Sequence, residues 1–322
     1  ASPKPVRKLY YRTDDGWQCP LTVVPPRPGG SGEPVLVAHS LLLEGSAYRY
    51  GADLGLVGAL CQAGFSVYLF HHRGDRVSIE PPNVRPYSFD DIVGQDVASA
   101  LERVRAHSCY PRVHFVGHGL GGQLGVAWAA RMQAEHLATL VTLSAPVRFA
   151  RPSSELARLG QMAKWLPAHL RLPSRTLAQL ATPALGQGDL DGGRMSPGAR
   201  VRGVLARHVG DIPVPLLRQV GLWMDAGALT DATGTMDYAH ATRDADVPLL
   251  VVGSDGDPVC PAACAEALLD HWGHPDRSAI RAPSNFGHLD MVLADAAVEK
   301  IFAPIVAWLH GRRRRSWTDQ AA

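Results

Sequence analysis

The chain has too few cysteines for a disulfide framework: five in 322 residues, an odd number scattered from Cys19 to Cys264. That usage favours a reduced compartment. Cys260 and Cys264 are close enough in sequence for two thiols to share a metal. No second pair or neighbouring histidine cluster joins them, so they read as structural thiols and no metal is expected. Long hydrophobic runs are missing too. No window of about 18 uninterrupted apolar residues occurs, which excludes a membrane-spanning helix from the expectations. Residues 1–4 lack the apolar core of a signal peptide, so a cytoplasmic protein is expected, with a removed leader left open. Neither sign of charge dominates: 32 Lys and Arg stand against 30 Asp and Glu, a formal net charge of +2. This balance gives no support for a nucleic-acid groove or an acidic partner. Residues 117–122 follow a strand and open a helix, but they lack the G-x-G-x-x-G spacing of a dinucleotide loop and the acid about 20 residues further on. Cofactor-free chemistry is the expectation. The sequence carries no signal for an oligomeric state.

What is present is a large apolar fraction, 46%, distributed with α/β periodicity. Residues 6–11 and 18–24 read as two strands joined by an Asp14-Asp15-Gly16 turn. Residues 34–38 and 65–70 are short apolar runs, the pattern of strands covered on both faces, and residues 113–116, 137–143 and 247–253 read as further strands. Between them lie helical stretches at 52–63, 88–107 and 120–132. The first is closed by Gly64 and the second opened by Ser88-Phe89-Asp90-Asp91, with acids in its first turn. Strand and helix alternate, which means a parallel sheet with right-handed crossovers. The pattern changes over residues 146–243. Helical pieces at 155–165 and 214–225 are broken by prolines and by a Gly/Asp/Ser-rich loop at 186–198, and no strand stands out. This stretch reads as a helical cap inserted into a core domain of residues 1–145 and 244–322. After it come a helix at 261–271, a last strand at 278–282 and a closing helix at 294–310. The basic cluster at 312–315 reads as a solvated helix end.

Chemistry concentrates in four places. The strand–turn–helix around residue 119 holds Gly117-His118-Gly119-Leu120-Gly121-Gly122, the layout of a G-x-S-x-G nucleophile elbow. Its flanking glycines let strand and helix approach through a strained turn. The central residue is itself glycine, so the attacking oxygen is absent from its usual place. Asp257 follows the strand at 247–253, just past the edge where open α/β sheets place their sites. It is favoured as the acid that orients the base, with Asp255 as the alternative. His288, in Phe286-Gly287-His288-Leu289-Asp290, completes the chain order nucleophile, acid, histidine. The loop His39-Ser40-Leu41-Leu42 follows the strand at 34–38. An oxyanion hole is expected from Ser40 on this loop and from Leu120, the residue after the elbow. The Ser40 hydroxyl either points into the pocket or caps its own turn.

These motifs resemble the α/β-hydrolase superfamily, and within it the acid-lipase and esterase branch, over residues 33–145 and 245–310. His39-Ser40-Leu41-Leu42 looks like that branch's H-G-L-L, and Phe70-His71-His72-Arg73-Gly74 like its Asn-Arg-Gly loop. Ser88-Phe89-Asp90-Asp91-Ile92 looks like its S-F-D-E helix start, and His288-Leu289-Asp290 matches its H-L-D. The resemblance implies an α/β-hydrolase fold: a mostly parallel, doubly wound sheet with an inserted cap. It also implies an apolar or acyl small-molecule substrate. Ser40 for glycine and Gly119 for serine depart from the pattern.

Three readings follow. In the first, His288 and Asp257 act as a general base on water, or support a lyase-type step, with Ser40 as a stand-in nucleophile or hydrogen-bond donor. In the second, the chain is a serine esterase inactivated at residue 119, naturally or by engineering. In the third, it is a non-catalytic pseudo-hydrolase that binds an apolar ligand or a protein partner under the cap. Trp165 and Trp223, on the helical pieces of the cap, either pack onto the sheet domain or line an apolar pocket.

Overall fold

The computed structural model describes residues 6–41, 43–49, 55–149, 162–181, 196 and 198–313. Its main sheet has eight strands: β1 (Arg7–Arg12), β2 (Gln18–Val24), β3 (Pro34–Ala38), β4 (Ser66–Phe70), β5 (Val113–His118), β6 (Leu137–Leu143), and, after two strands outside it, β9 (Leu249–Gly253) and β10 (Arg277–Arg281). Their order is β1-β2-β4-β3-β5-β6-β9-β10. The pairs β1·β2 and β2·β4 are antiparallel and every other pair is parallel. The chain steps from β3 to β4 on one side, then crosses back to place β5 on the other. The sheet therefore winds outward in both directions from β3. That reversal opens a crevice beyond the carboxyl ends of β3 and β5.

The covered-strand reading holds. Every residue of β3, β5, β6 and β9 is buried. Alternation along the strands feeds two separate cores. Leu36, Phe115, Leu140 and Val251 pack on one face against the helices Ala98–Ser108 and Leu120–Met132. Val35, Val116, Val141 and Leu250 pack on the other against the helices Gly55–Gln62 and Ala303–His310. Two full cores explain why the strands carry no polar face.

Several local expectations are refined. The helix expected over residues 88–107 begins with a capping box, in which the Ser88 side chain accepts from the Asp91 N–H and Asp91 accepts from the Ser88 N–H. It then widens into a π-helical turn, Ile92–Val97, before continuing as Ala98–Ser108. The closing helix likewise starts with a π turn, Val298–Phe302. None of the five cysteines is in a disulfide. Among the described residues no helix is long and apolar enough to cross a membrane.

Within residues 146–243 the described part is helical, with Ser174–Ala181, Gly198–Arg207 and Val214–Ala226 as its main pieces. The expectation of no strand there is corrected by a short antiparallel pair, β7 (Arg171–Leu172) with β8 (Ile212–Pro213). Two residues per strand leave no apolar periodicity to read. Residues 155–161 of the first expected helical piece lie outside the described residues, as do 186–195 and 197 of the expected loop, residue 42, and 314–315 of the basic cluster. Arg312, in the described part of that cluster, is not solely solvated. It grips Asp276 through Nε at 2.8 Å and Nη2 at 2.5 Å and lies over the Trp308 ring.

Candidate active site

The sequence motifs meet at the carboxyl edge of the sheet. The turn at Gly119 comes first because its backbone is the most constrained. Gly119 has φ 52° and ψ −118°, a conformation that costs most side chains energy and glycine little. Its N–H is anchored on the Leu143 carbonyl at 2.9 Å. The following helix presses on the loop after β3: a Cβ at Gly121 would lie 2.3 Å from the Ala38 carbonyl oxygen and 2.8 Å from that of His39. Both are backbone atoms and cannot swing away. Gly121→Ala should therefore lose about 1–3 kcal/mol of stability by overpacking, read as a lower denaturation midpoint at unchanged m-value. A midpoint equal to the parent's would contradict this packing.

Asp257 and His288 come from the loops after β9 and β10. Gly256 lets these loops touch, since a Cβ there would lie 2.1 Å from the Ser284 carbonyl oxygen. Ser254 Oγ ties them together by donating toward the carbonyls of Pro283 and Phe286. Asp257 is fully buried. Its Oδ1 accepts the N–H groups of Val259 and Cys260 at 2.8 and 3.0 Å, which leaves Oδ2 to accept from His288 Nδ1 at 2.9 Å. The alternative acid, Asp255, points elsewhere, with a 60% exposed side chain facing Arg281. Asp290 closes the histidine loop by accepting the Gly287 N–H and the Ser196 hydroxyl.

With Nδ1–H committed to Asp257, a neutral His288 presents a lone pair at Nε2. Ser40 Oγ stands 3.4 Å from that nitrogen. Of the two orientations open for the Ser40 hydroxyl, the structure has the one that faces the pocket. A Cβ at Gly119 would fall 2.8 Å from Ser40 Oγ and 3.2 Å from His288 Nε2. The Ser40 hydroxyl thus lies beside the space that a side chain on residue 119 would use.

The backbone of Ser40 corrects one expectation. Its N–H donates to Tyr48 Oη at 2.9 Å and is not turned to the pocket. The buried Tyr48 phenol supplies the reason. It donates in turn to His118 Nδ1 at 2.7 Å, and His118 Nε2–H donates to the His288 carbonyl at 3.2 Å. This direction is forced, because an N–H can only donate and a carbonyl only accept. Burial and the neighbouring His288 hold His118 well below the usual histidine range, so it stays neutral as the relay requires. Its ring stacks on His288 at 4.4 Å. Among the described residues, the backbone N–H groups of Leu41 and Leu120 have no acceptor. Both residues line the cavity. Tyr48 and His118 escaped the sequence reading. A histidine between the elbow glycines was a visible signal for one; nothing in the spacing points to the other.

The cavity at this edge has a volume of about 210 Å³. Ser40, Gly119 and His288 form its floor, while Leu205, Val220, Trp223 and Met224 approach from the helices of residues 198–226. Trp223 both packs and lines the pocket. It meets Phe89 edge-on at 4.9 Å and anchors its Nε1–H on the Thr230 carbonyl at 2.7 Å. Trp165 does neither and is 89% exposed.

Comparison with known proteins places this arrangement. Residues 37–288 match the family model described as Serine aminopeptidase, S33. Among solved structures, the chain is similar to a malate-bound thermophilic esterase from Thermogutta terrifontis: TM-score 0.64, 18% identity, covering 96% of this chain and 100% of that one. A monoacylglycerol lipase from Paleococcus ferrophilus gives 0.63 and 18%, covering 96% and 100%. An enol-lactonase from Burkholderia xenovorans gives 0.64 and 18%, covering 94% and 100%. At these identities the likeness is one of fold, the α/β-hydrolase architecture. A homoserine O-acetyltransferase from Cyclobacterium marinum is 39% identical over 59 residues, and the match spans only 17% of either protein.

Proposed function

We propose, from the premise that the chain belongs to the serine aminopeptidase (S33) family of the α/β-hydrolase superfamily, that it cleaves carboxylic esters of apolar acyl groups with the hydroxyl of Ser40 as nucleophile. The observation that carries this reading is the position of Ser40 Oγ, 3.4 Å from His288 Nε2 and beside the empty Cβ direction of Gly119. The two departures from the branch pattern, serine at 40 and glycine at 119, are then one change: the hydroxyl has moved from one side of the elbow to the other. Ester chemistry is supported by three structural neighbours that are named as an esterase, a lipase and a lactonase.

In this mechanism His288 Nε2 takes the Ser40 proton as Oγ attacks the ester carbonyl. The charge on the carbonyl oxygen is met by the N–H groups of Leu41 and Leu120. The imidazolium, held by Asp257, returns the proton to the leaving alkoxide. Water then hydrolyses the acyl-Ser40 by the same route in reverse. Residues 146–243 act as the cap, whose helices cover the acyl group and exclude water.

A fluorophosphonate probe followed by peptide mass spectrometry tests this directly. The expected adduct is on Ser40, competed away by a hydrophobic ester. A nitrophenyl esterase that takes no label, and whose Ser40→Ala variant keeps full turnover, would overturn the covalent step and assign attack to water on His288. Absence of both label and turnover, with ligand binding unaffected by His288→Ala, would make the chain a binding protein.

A further inference from the structure

Behind the Ser40 loop lies a second cluster that ester cleavage does not use. His39, His71, His72 and Asp75 are all buried. They come from the ends of β3 and β4, adjacent parallel strands that bring residue 39 to the segment 71–75. Three imidazoles converge on one carboxylate. His39 Nε2 is 2.9 Å and His71 Nδ1 3.3 Å from Asp75 Oδ2, and His72 Nε2 is 3.9 Å from Asp75 Oδ1.

The hydrogen bonds on the far sides of two rings decide which nitrogens hold lone pairs. His39 Nδ1–H donates to the Ser40 carbonyl at 3.0 Å, and His72 Nδ1–H donates to the Arg73 carbonyl at 2.7 Å. In the neutral ring each Nε2 is then an acceptor, so the 2.9 Å approach of His39 Nε2 to Asp75 Oδ2 requires a proton or a metal ion between them, and His72 Nε2 faces the same carboxylate at 3.9 Å. His72 Nε2 is buried with no hydrogen-bond partner. Buried acceptors gathered on an acceptor call for a cation. A main-chain carbonyl on the distal nitrogen is the support that metal-bound histidines ordinarily have, because it fixes the tautomer and aims the lone pair.

We propose that His39 Nε2, His72 Nε2 and the Asp75 carboxylate bind one divalent transition-metal ion of the zinc class. The ligand atoms of these three lie within 4.8 Å of one another, and two imidazoles with one carboxylate suit zinc over the hard, oxygen-seeking cations. His71 Nδ1–H supports the carboxylate from outside the ligand set. The fourth position opens onto a cavity of about 10 Å³ that His39, His72 and Asp75 line, room for about one water. Arg73 lines the same cavity, but its charge is matched by Asp15 and Asp96. The ion clamps the residue preceding Ser40 to the β4 end and so acts as a positioning element for the Ser40 loop.

Metal content tests this without reference to turnover, so its failure leaves the Ser40 reading standing. Protein produced with zinc and exchanged into chelator-free buffer should carry about one zinc per chain by plasma mass spectrometry. His240→Gln, outside the cluster, should match it. His72→Gln and Asp75→Asn should hold less than about a tenth as much while keeping the parent circular dichroism. Should those variants not fold, cobalt titration of the parent protein decides, with intense d–d bands of a low-coordinate site expected. Zinc retained by both folded variants, or a parent chain that binds neither zinc nor cobalt, would overturn the proposal.

Discussion

Replacing His288 by alanine should lower turnover of an activated ester on the order of 10⁶-fold, and Asp257→Asn about 10⁴-fold. In the proposed mechanism the imidazole is the base for Ser40 and the acid for the leaving group, so its loss would leave only amide donors and binding. The asparagine variant keeps the ring but turns the Asp257 partner from an acceptor into a group that can donate, which favours the wrong tautomer at Nε2. Neither change should unfold the chain, because Asp257 Oδ1 keeps the Val259 and Cys260 amides. If Ser40 and His288 act as a unit, the double variant Ser40→Ala with His288→Ala falls no further than the worse single one. Steady-state kinetics on nitrophenyl esters measures all three. A His288→Ala protein within tenfold of the parent rate would remove the imidazole from the reaction.

Much of this architecture was legible because it is written in periodicity. Strands covered on both faces are buried at every position, as β3, β5, β6 and β9 are, so apolar residues dominate them and the few polar ones, such as His114 and Thr139, pair with each other inside. The order of elbow, acid and histidine was legible because each follows a strand whose carboxyl end faces one crevice. What stayed hidden depends on contacts between elements distant in sequence. Asp255 and Asp257 are equal as residue types, and only the turn that points Asp257 Oδ1 at two amides separates them. The amide of Ser40 was expected to face substrate. It does not, because a phenol from Tyr48, eight residues on, needs a donor. Trp165 and Trp223 are alike on a helical wheel, yet one is 89% exposed and the other 1%. The Cys260–Cys264 pair is visible in the sequence as a possible metal pair because its spacing is local. The histidine cluster forms only when β3 and β4 pair, and no local spacing announces it.

Arg73→Ala should destabilise the fold by about 3–5 kcal/mol, more at pH 8 than at pH 5. The guanidinium is 1% exposed. Its Nε meets Asp96 Oδ2 at 2.5 Å, and its Nη1 and Nη2 meet Asp15 at 2.7 and 3.2 Å. Asp96, fully buried on the π-helical turn, also accepts the Arg73 backbone N–H at 2.7 Å. Removing the side chain therefore leaves a carboxylate in the core with one amide, long contacts from the Tyr11 hydroxyl and the Cys19 thiol, and no countercharge. Burial pushes the Asp96 carboxyl up to about 6 even against the opposing pull of Arg73. A raised folded-state value means that the folded chain holds a proton the unfolded chain has lost. That contribution is complete below about pH 4 and fades as pH rises through 6. Without Arg73 the carboxyl rises further, so the variant keeps losing stability above pH 6, where the parent has levelled off. At pH 5 the protonated acid needs no countercharge and the deficit shrinks. Urea midpoints at the two pH values measure the difference. Equal deficits at pH 5 and pH 8, or a loss below about 1 kcal/mol at both, would mean that Arg73 is not neutralising Asp96.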